Sequence, residues 1–104
     1  MIQIPVDQSV LRFEAVKVYA KAYKGVQSVD TDGVTPMWHM QVLVTSPFEH
    51  QASLMQISVP AKTTPVIRPL AEIQFKELTA RPWSTNGKTG IAYRAQSFKI
   101  VGAI

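Results

Sequence analysis

The sequence predicts a single domain with an all-β fold, and three observations support this. β-branched and aromatic residues recur in short runs, and Gly, Pro, Asn or Asp separates each run from the next. Apolar stripes with the helical period of about 3.6 residues are missing. The chain has 104 residues, of which 46% are hydrophobic and 17% charged. This is enough apolar residues for one folded domain covering residues 1–104.

The first predicted strand runs from about Val10 to Lys24 and contains a bend. Its apolar residues change parity near Ala15–Val16, and a one-residue change of face requires a bulge or a sharp bend. The residues expected to face inward are Leu11 and Phe13, followed by Val16, Val18, Ala20 and Ala22. A loop from Gly25 to Pro36 follows, and Asp32-Gly33 is its turn signal.

The remaining strands follow from alternation and turn signals. In the second strand Trp38 shares its face with apolar residues and is expected to face the core. Prolines at 60, 65 and 69 exclude a helix between Ala61 and Leu70. Asn86-Gly87 predicts a hairpin turn. The expected elements are strands at Met37–Thr45, Ser53–Val59, Ala71–Thr79 and Ile91–Val101, with a long hairpin loop over Arg81–Gly90.

Five strands with a bent first strand, in about a hundred residues, fit a five-stranded oligonucleotide/oligosaccharide-binding (OB) barrel. One long bent strand can serve both sheets of such a barrel. An SH3-like barrel and a small sandwich have similar strand counts, so these folds remain alternatives.

The last third of the chain also resembles a known family. Its sequence runs from Ala71 to Trp83, then Asn86-Gly-Lys-Thr-Gly90, then Ile91-Ala-Tyr-Arg-Ala-Gln-Ser97. This is similar to the closing hairpin of small OB-fold proteins encoded by phages, plasmids and integrative elements of bacteria. More loosely, the whole chain resembles the single-stranded-DNA-binding proteins of filamentous phages. The resemblance implies single-stranded DNA binding during replication or transfer of a mobile element, with the 81–90 loop in the site.

Charge and aromatic residues point to the same ligand. The net charge is +4, and no acidic residue follows Thr79, whereas Arg81, Lys88, Arg94 and Lys99 do. Cations and aromatic rings alternate in the first strand, at Lys17, Tyr19, Lys21 and Tyr23. Cations bind phosphates and rings stack on bases, so this stripe fits a single-stranded nucleic acid. It equally fits a soluble outer strand face.

Trp83 and Tyr93 each have two interpretations. Trp83 either stacks on a base or folds back to cap the barrel, and Tyr93 is either a platform or a core residue. Asp30 and Asp32 stand in the first loop, where this family leads us to expect cations. The candidate nucleic-acid-binding residues are Lys17, Tyr19, Lys21, Tyr23, Arg81, Trp83, Lys88 and Arg94.

Catalysis and cofactor binding are not expected. Cysteine is absent, which excludes disulfides and thiolate metal sites, and the two histidines, His39 and His50, have no pattern of metal ligands around them. No phosphate-binding loop or nucleophile motif occurs. We therefore expect a non-enzymatic, cytoplasmic protein without membrane segments, cofactors or metals. Its expected partners are single-stranded DNA, a second copy in a homodimer, and replication or transfer proteins. The alternative is a protein–protein adaptor of a mobile element.

Overall fold

The computed structural model describes residues 3–49 and 51–101 of the chain. In this described part the fold consists of strands, turns and loops, without a helix. The strands are β1 (Ile4–Pro5), β2 (Arg12–Ala20), β3 (Ala22–Tyr23), β4 (Val26–Gln27), β5 (Met37–Thr45), β6 (Ser53–Pro60), β7 (Glu72–Lys76), β8 (Thr79–Thr85), β9 (Lys88–Arg94) and β10 (Ser97–Val101). The all-β prediction is confirmed.

Eight of these strands form one curled sheet in the order β1-β8-β9-β6-β5-β2-β7-β10, while β3 and β4 form a separate hairpin. All neighbours are antiparallel except β6 and β9, which are parallel. The chain passes from β7 into β8 and from β9 into β10, so one long hairpin contributes strands near both ends of the sheet order. The sheet therefore curls into a half-barrel.

The tip of this long hairpin is the predicted Asn86-Gly87 turn. Both residues have positive φ, 52° and 75°, as a type I′ turn requires. This turn matches strand twist, so pairing continues up to Thr85 and Lys88. The prediction of a loop over Arg81–Gly90 is therefore wrong, because these residues form the paired strands β8 and β9. We call this pair, Thr79–Thr85 with Lys88–Arg94, the ribbon.

The first strand contains a bulge, one of the two predicted causes of its change of face, but the predicted inward set is only partly right. Pairing of β2 with β5 shifts register between Ala15 and Lys17. Val16 is the extra residue and is 40% exposed, since a bulged residue leaves the regular alternation. Val18 packs against the core, whereas Ala20 and Ala22 are exposed.

The first strand is also shorter than predicted. β2 ends at Ala20, although the Lys21 N–H still donates to the Met37 carbonyl at 3.1 Å. Beyond it the chain forms the small β3–β4 hairpin, which turns at Lys24 and Gly25 with φ of 51° and 78°. Positive φ at both residues closes a tight turn, so this segment pairs with itself instead of extending β2.

The core lies between the two walls of the curled sheet. Strand β5 has the predicted bounds, and β6 is one residue longer than predicted. The Phe13 and Phe75 rings meet edge to face at 5.2 Å, and burial of such a side chain contributes about 1.5–3 kcal/mol. Trp38 is half-buried against the core, and its Nε1 donates to the Ala61 carbonyl at 3.0 Å. The buried cluster is Phe13, Ala15, Met40, Val42, Ile57, Val59, Ile73, Phe75, Leu78 and Ala95.

Candidate nucleic-acid interface

Strands β2, β5 and β6 present a polar surface on the side opposite the core, which we call the outer face. Side chains alternate along a strand and paired residues share a side. Since Met40 and Val42 are buried, their neighbours His39 and Gln41 face outward. The outer face contains Lys17 and Tyr19 of β2, His39 and Gln41 of β5, and Gln56 and Ser58 of β6.

The outer face continues onto the ribbon through one row of paired residues. Tyr19 pairs with His39, and His39 pairs with Ser58. Ser58 pairs with Arg94 across the parallel junction, and Arg94 pairs with Thr79. The row therefore crosses β2, β5, β6, β9 and β8 on one side of the sheet. With strands about 4.8 Å apart, it is roughly 19 Å long.

The ribbon places four predicted site residues on this same side. Alternate residues of a strand share a face, and so do the partners opposite them. Arg81 pairs with Ala92, Trp83 pairs with Gly90, and Thr85 pairs with Lys88. The residues of the predicted site that share the face are Arg81, Trp83, Lys88 and Arg94.

The Trp83 indole lies against Gly90, its partner on β9. A Cβ atom placed on Gly90 would be 2.6 Å from Cζ2 and 2.7 Å from Cε2 of the indole. Only glycine allows the ring to lie this close to the backbone. Trp83 is 37% exposed and is not part of the buried cluster. It therefore does not cap the core, and it keeps accessible ring surface.

A cleft of about 610 Å³ opens between the outer face and the ribbon. Strands β6 and β9 pair only at Ile57–Tyr93 and Ser58–Arg94, and the cleft lies where they separate. Its lining combines hydrogen-bonding groups with apolar and aromatic surface, a composition typical of ligand sites. Residues from both sides that line it include Lys21, His39, Gln56, Ser58, Trp83 and Tyr93.

Lys17 and Tyr19 of the stripe contact each other on the outer face. The Lys17 ammonium lies 5.4 Å from the centre of the Tyr19 ring, within the range of a cation–π interaction. The Tyr19 hydroxyl donates to Gln56 Oε1. This ring also lies 5.3 Å from the ring of His39. Tyr19 is therefore oriented by its neighbours before any ligand arrives.

His39 is held in one neutral form by the same network. Gln56 accepts from Tyr19 through Oε1, so its Nε2 donates to His39 Nδ1 at 3.1 Å. An accepting Nδ1 leaves the ring proton on Nε2. Burial, and then the nearby charge of Lys21, lower the pKa of His39 below 6.5. At neutral pH the ring is therefore an uncharged hydrogen-bond donor.

Lys21 connects the stripe with the ribbon. It is half-buried at the end of β2 and lines the cleft. Burial lowers the pKa of Lys21, and the charges of Arg94 and Arg81 lower it further. Three predicted site residues from distant parts of the chain therefore lie close enough to interact electrostatically.

Tyr23 lies apart from the other stripe residues. It belongs to the β3–β4 hairpin and is 71% exposed. Lys24 lies 5.5 Å from its ring centre. The structure therefore does not extend the stripe along β2 as far as Tyr23, because the strand ends before it.

The acidic residues of the first loop are engaged within the protein. Asp30 forms an ion pair with Arg94, which fastens the loop to β9. Asp32 accepts from the backbone N–H groups of Val34 and Thr35 and from the Thr35 hydroxyl. These hydrogen bonds lower the pKa of Asp32 to about 2. Asp32 stabilises the predicted turn, and Asp30 neutralises one cation of the candidate site.

Sequence reasoning missed the polar residues in the middle of the interface. The sequence pattern assigns no ligand-binding role to His39, Gln56 or Ser58. Their signal was present, because each alternates with buried apolar residues of β5 or β6. Tyr93, for which the sequence allowed either a core position or a stacking platform, packs against the core and also lines the cleft.

Comparisons with protein-family models, curated proteins and solved structures find no match to this chain. Across the described residues, no cluster of three His, Asp or Glu side chains is arranged to hold a metal ion. His50 lies outside the described residues. In the described part there is also no helix long and apolar enough to cross a membrane.

Proposed function

We propose that this chain is an OB-like barrel that binds single-stranded DNA with little sequence preference, in the replication or transfer of a phage or plasmid. The strand pairing supports the barrel. When the two-residue strands β1, β3 and β4 are set aside, and β7 with β8 and β9 with β10 are each counted as one bent strand, five strands remain. Their neighbours then follow the order first-second-third-fifth-fourth, and the first strand also pairs with the fourth. This order of neighbours is the one expected of a small five-stranded barrel, and it supports the OB-like part of the proposal.

The observation that carries the proposed ligand is the continuous surface from the outer face to the ribbon. Cations lie along its length, with Lys17 on β2 and Lys88 on β9 toward the two ends, and Lys21, Arg81 and Arg94 together at the junction. Aromatic rings and uncharged hydrogen-bonding groups lie among them, and the Glu49 carboxylate also lines the cleft. A negatively charged chain with stackable bases is complementary to this order of groups.

A single strand fits this surface better than a duplex. The Trp83 ring keeps accessible surface beside a cleft, and stacking on it requires a base whose face is free. The row of paired residues is roughly 19 Å long, which allows only a short footprint per chain. Coverage of a longer strand would then require several copies.

A homodimer remains part of the proposal. Strand β10 is the terminal strand of the sheet order, and an open strand edge can pair with a second chain. Two linked sites would also raise avidity for DNA. Light scattering coupled to size exclusion measures this directly, and a mass of one chain at micromolar concentration would contradict the dimer.

The decisive experiment is a salt titration with fluorescein-labelled oligo-dT of about 25 nucleotides, which exceeds the roughly 4–16 nucleotides that one OB fold covers. We expect log K to fall linearly with log salt, with a slope of roughly −3 for four or five phosphate contacts at about 0.7 each. The matching duplex is the control and should bind more weakly. Absence of oligo-dT binding at low salt would contradict the proposal and favour the adaptor function.

A further inference from the structure

A second, smaller pocket of about 80 Å³ lies where the end of β2 meets β6, β8 and β9. It is distinct from the large cleft, although Lys21, Ser58, Ala92 and Tyr93 line both. The hydrogen-bonding side chains around it are mostly cationic or hydroxyl groups. They include Lys21, Ser58, Thr79, Arg81 and Arg94.

Three cations converge on this pocket. Like charges at close range repel each other, and the arginine charges indeed disfavour the protonated form of Lys21. Among the described residues, the acidic side chain paired with this cluster is Asp30, which contacts Arg94. Three positive charges against one negative charge leave the pocket with an excess of two. An anion would remove this repulsion.

The hydrogen-bond donors around the pocket match a phosphate group. Arginine presents planar pairs of N–H groups that match phosphate oxygens, and lysine adds a compact charge. Ser58 contributes a buried hydroxyl that lies 3.4 Å from His39 Nδ1, and the Thr79 hydroxyl, which donates to the Arg94 carbonyl at 3.3 Å, also lines the pocket. Ser58, Arg94 and Thr79 are also consecutive members of the row that crosses the sheet.

We propose that the Lys21–Arg81–Arg94 pocket is a phosphate-binding subsite. Its occupant is a phosphoryl group, and where this belongs to DNA the inference rests on the proposed function. The subsite lies between the stripe and Trp83, so it fixes the backbone of a strand whose bases reach the cleft. The Asp30 carboxylate competes with the phosphate for Arg94.

Inorganic phosphate is the first probe, since it requires no DNA. Titration followed by amide chemical shifts should perturb the backbone around Ser58 and Arg94. Arg81→Gln should weaken phosphate binding about tenfold, as expected for loss of a charged hydrogen bond. Asp30→Asn should strengthen it about fivefold, because a nearby negative charge is removed. Lys99→Gln on β10 has the same change of charge as Arg81→Gln and should have no effect.

Arg81 is the main test position because its side chain is exposed, so the variant should fold. Unfolding in urea is measured for every variant to verify this. Equal weakening by Arg81→Gln and Lys99→Gln would overturn the subsite, since binding would then reflect net charge alone. An unchanged phosphate affinity in Arg81→Gln would overturn it as well.

A second arm identifies the source of the phosphate. Oligo-dT with a 5′-phosphate is compared with the same oligonucleotide ending in a 5′-hydroxyl. Tighter binding of the phosphorylated strand that disappears in Arg81→Gln assigns the subsite to a strand end. Equal binding of both, weakened in Arg81→Gln, assigns it to an internal phosphodiester.

The phosphate and oligo-dT titrations distinguish the subsite from the DNA-binding function. If phosphate binds in an Arg81-dependent manner but oligo-dT does not bind, the subsite stands and the DNA function is wrong. If oligo-dT binds and Arg81→Gln changes neither ligand, the function stands and the subsite is wrong.

Discussion

The outer face and the ribbon carry similar residues but hold them differently. On the outer face, Tyr19, Gln56 and His39 are hydrogen-bonded to one another. On the ribbon, the side chains of Arg81, Trp83 and Lys88 have no hydrogen-bond partner among the described residues. Side chains that are hydrogen-bonded to one another stabilise the fold as well as contacting the ligand. Side chains without such hydrogen bonds contribute mainly to binding of the ligand. Changes on the outer face should therefore alter stability, and changes on the ribbon should alter affinity.

The largest effect is expected for Trp83→Ala. Loss of a stacking ring typically costs about 1–3 kcal/mol of binding per base, which is roughly 5–150-fold in affinity. The free energy of unfolding should fall by only about 0.2–1 kcal/mol, because the ring is outside the core and loses a single cross-strand contact with Gly90. Fluorescence anisotropy with oligo-dT and urea unfolding measure the two quantities.

Trp38→Phe is the matched control, since Trp38 and Trp83 are the two tryptophans of the chain. It should lower stability, retain oligo-dT binding, and retain quenching of the remaining fluorescence by DNA. A Trp83→Ala variant that loses stability in proportion to affinity would instead identify the ring as structural.

Gly90→Ala tests the same ring by moving it. The added methyl group cannot occupy a position 2.6 Å from Cζ2, so the indole must shift. Affinity for oligo-dT should fall, though by less than in Trp83→Ala, because a displaced ring remains. In the Trp83→Ala background, Gly90→Ala should have no further effect, and a double-mutant cycle measures this coupling. Additive losses would separate Gly90 from the stacking site.

The opposite behaviour is expected for Tyr19→Phe. This change removes the donor to Gln56 and keeps the ring, so the free energy of unfolding should fall by about 0.5–1.5 kcal/mol. Affinity should change little. Tyr23→Phe is the matched control, because its exposed hydroxyl has no hydrogen-bond partner among the described residues. If both variants unfold at the same urea concentration, the outer face is not prearranged by this network.

Smaller effects are expected for single surface lysines. Lys17→Ala and Lys88→Ala each remove about one phosphate contact, so the slope of log K against log salt should fall in magnitude by about 0.7. Lys99→Ala on β10 should leave the slope unchanged. A slope unaffected by Lys17→Ala would restrict the interface to the ribbon and its junction.

Local patterns account for what the sequence predicted correctly. Alternation located β5 to the residue, the parity change located the bulge, and Asn86-Gly87 located the hairpin turn. Pro82 favoured a loop over a strand in the sequence, although it lies within β8. Proline is tolerated at an edge. Within residues 3–49 and 51–101, β1 pairs with β8 only at Thr79 and Ala80, whereas Pro82 pairs with Ile91 of β9.

No local sequence pattern predicts the junction where β6 pairs with β9 and where Lys21, Arg81 and Arg94 meet. Lys21 meets Arg81 and Arg94 because β6 pairs with β9, and this parallel pairing joins residues far apart in the chain. Alternation shows that a residue faces outward, but not which outward residues are neighbours. The ion pair between Asp30 and Arg94 also joins residues far apart in the chain. The sequence therefore shows Asp30 and Asp32 only as acidic residues where the resemblance implies cations, and does not show their partners.

The smallest expected effect is a pH dependence that arises on the outer face. Burial and the charge of Lys21 lower the pKa of His39 in the folded chain below 6.5, its value in the unfolded chain. Between the folded-state pKa and 6.5, the unfolded chain therefore binds more protons than the folded one. Stability then rises with pH across this window, is complete above about pH 6.5, and declines as pH falls below it. The carboxyls of Asp7 and Asp32, whose pKa values lie below 3.8, titrate outside the window.

Urea unfolding between about pH 5 and pH 8 measures this dependence, since histidine titrates in that range. His39→Gln should flatten the profile, whereas Trp83→Ala should leave its shape unchanged because the ribbon ring contacts no titrating histidine network. A profile that stays equally steep in His39→Gln would show that the Tyr19–Gln56–His39 network does not couple folding to protonation. The outer face would then resemble the ribbon, with side chains that serve the ligand alone.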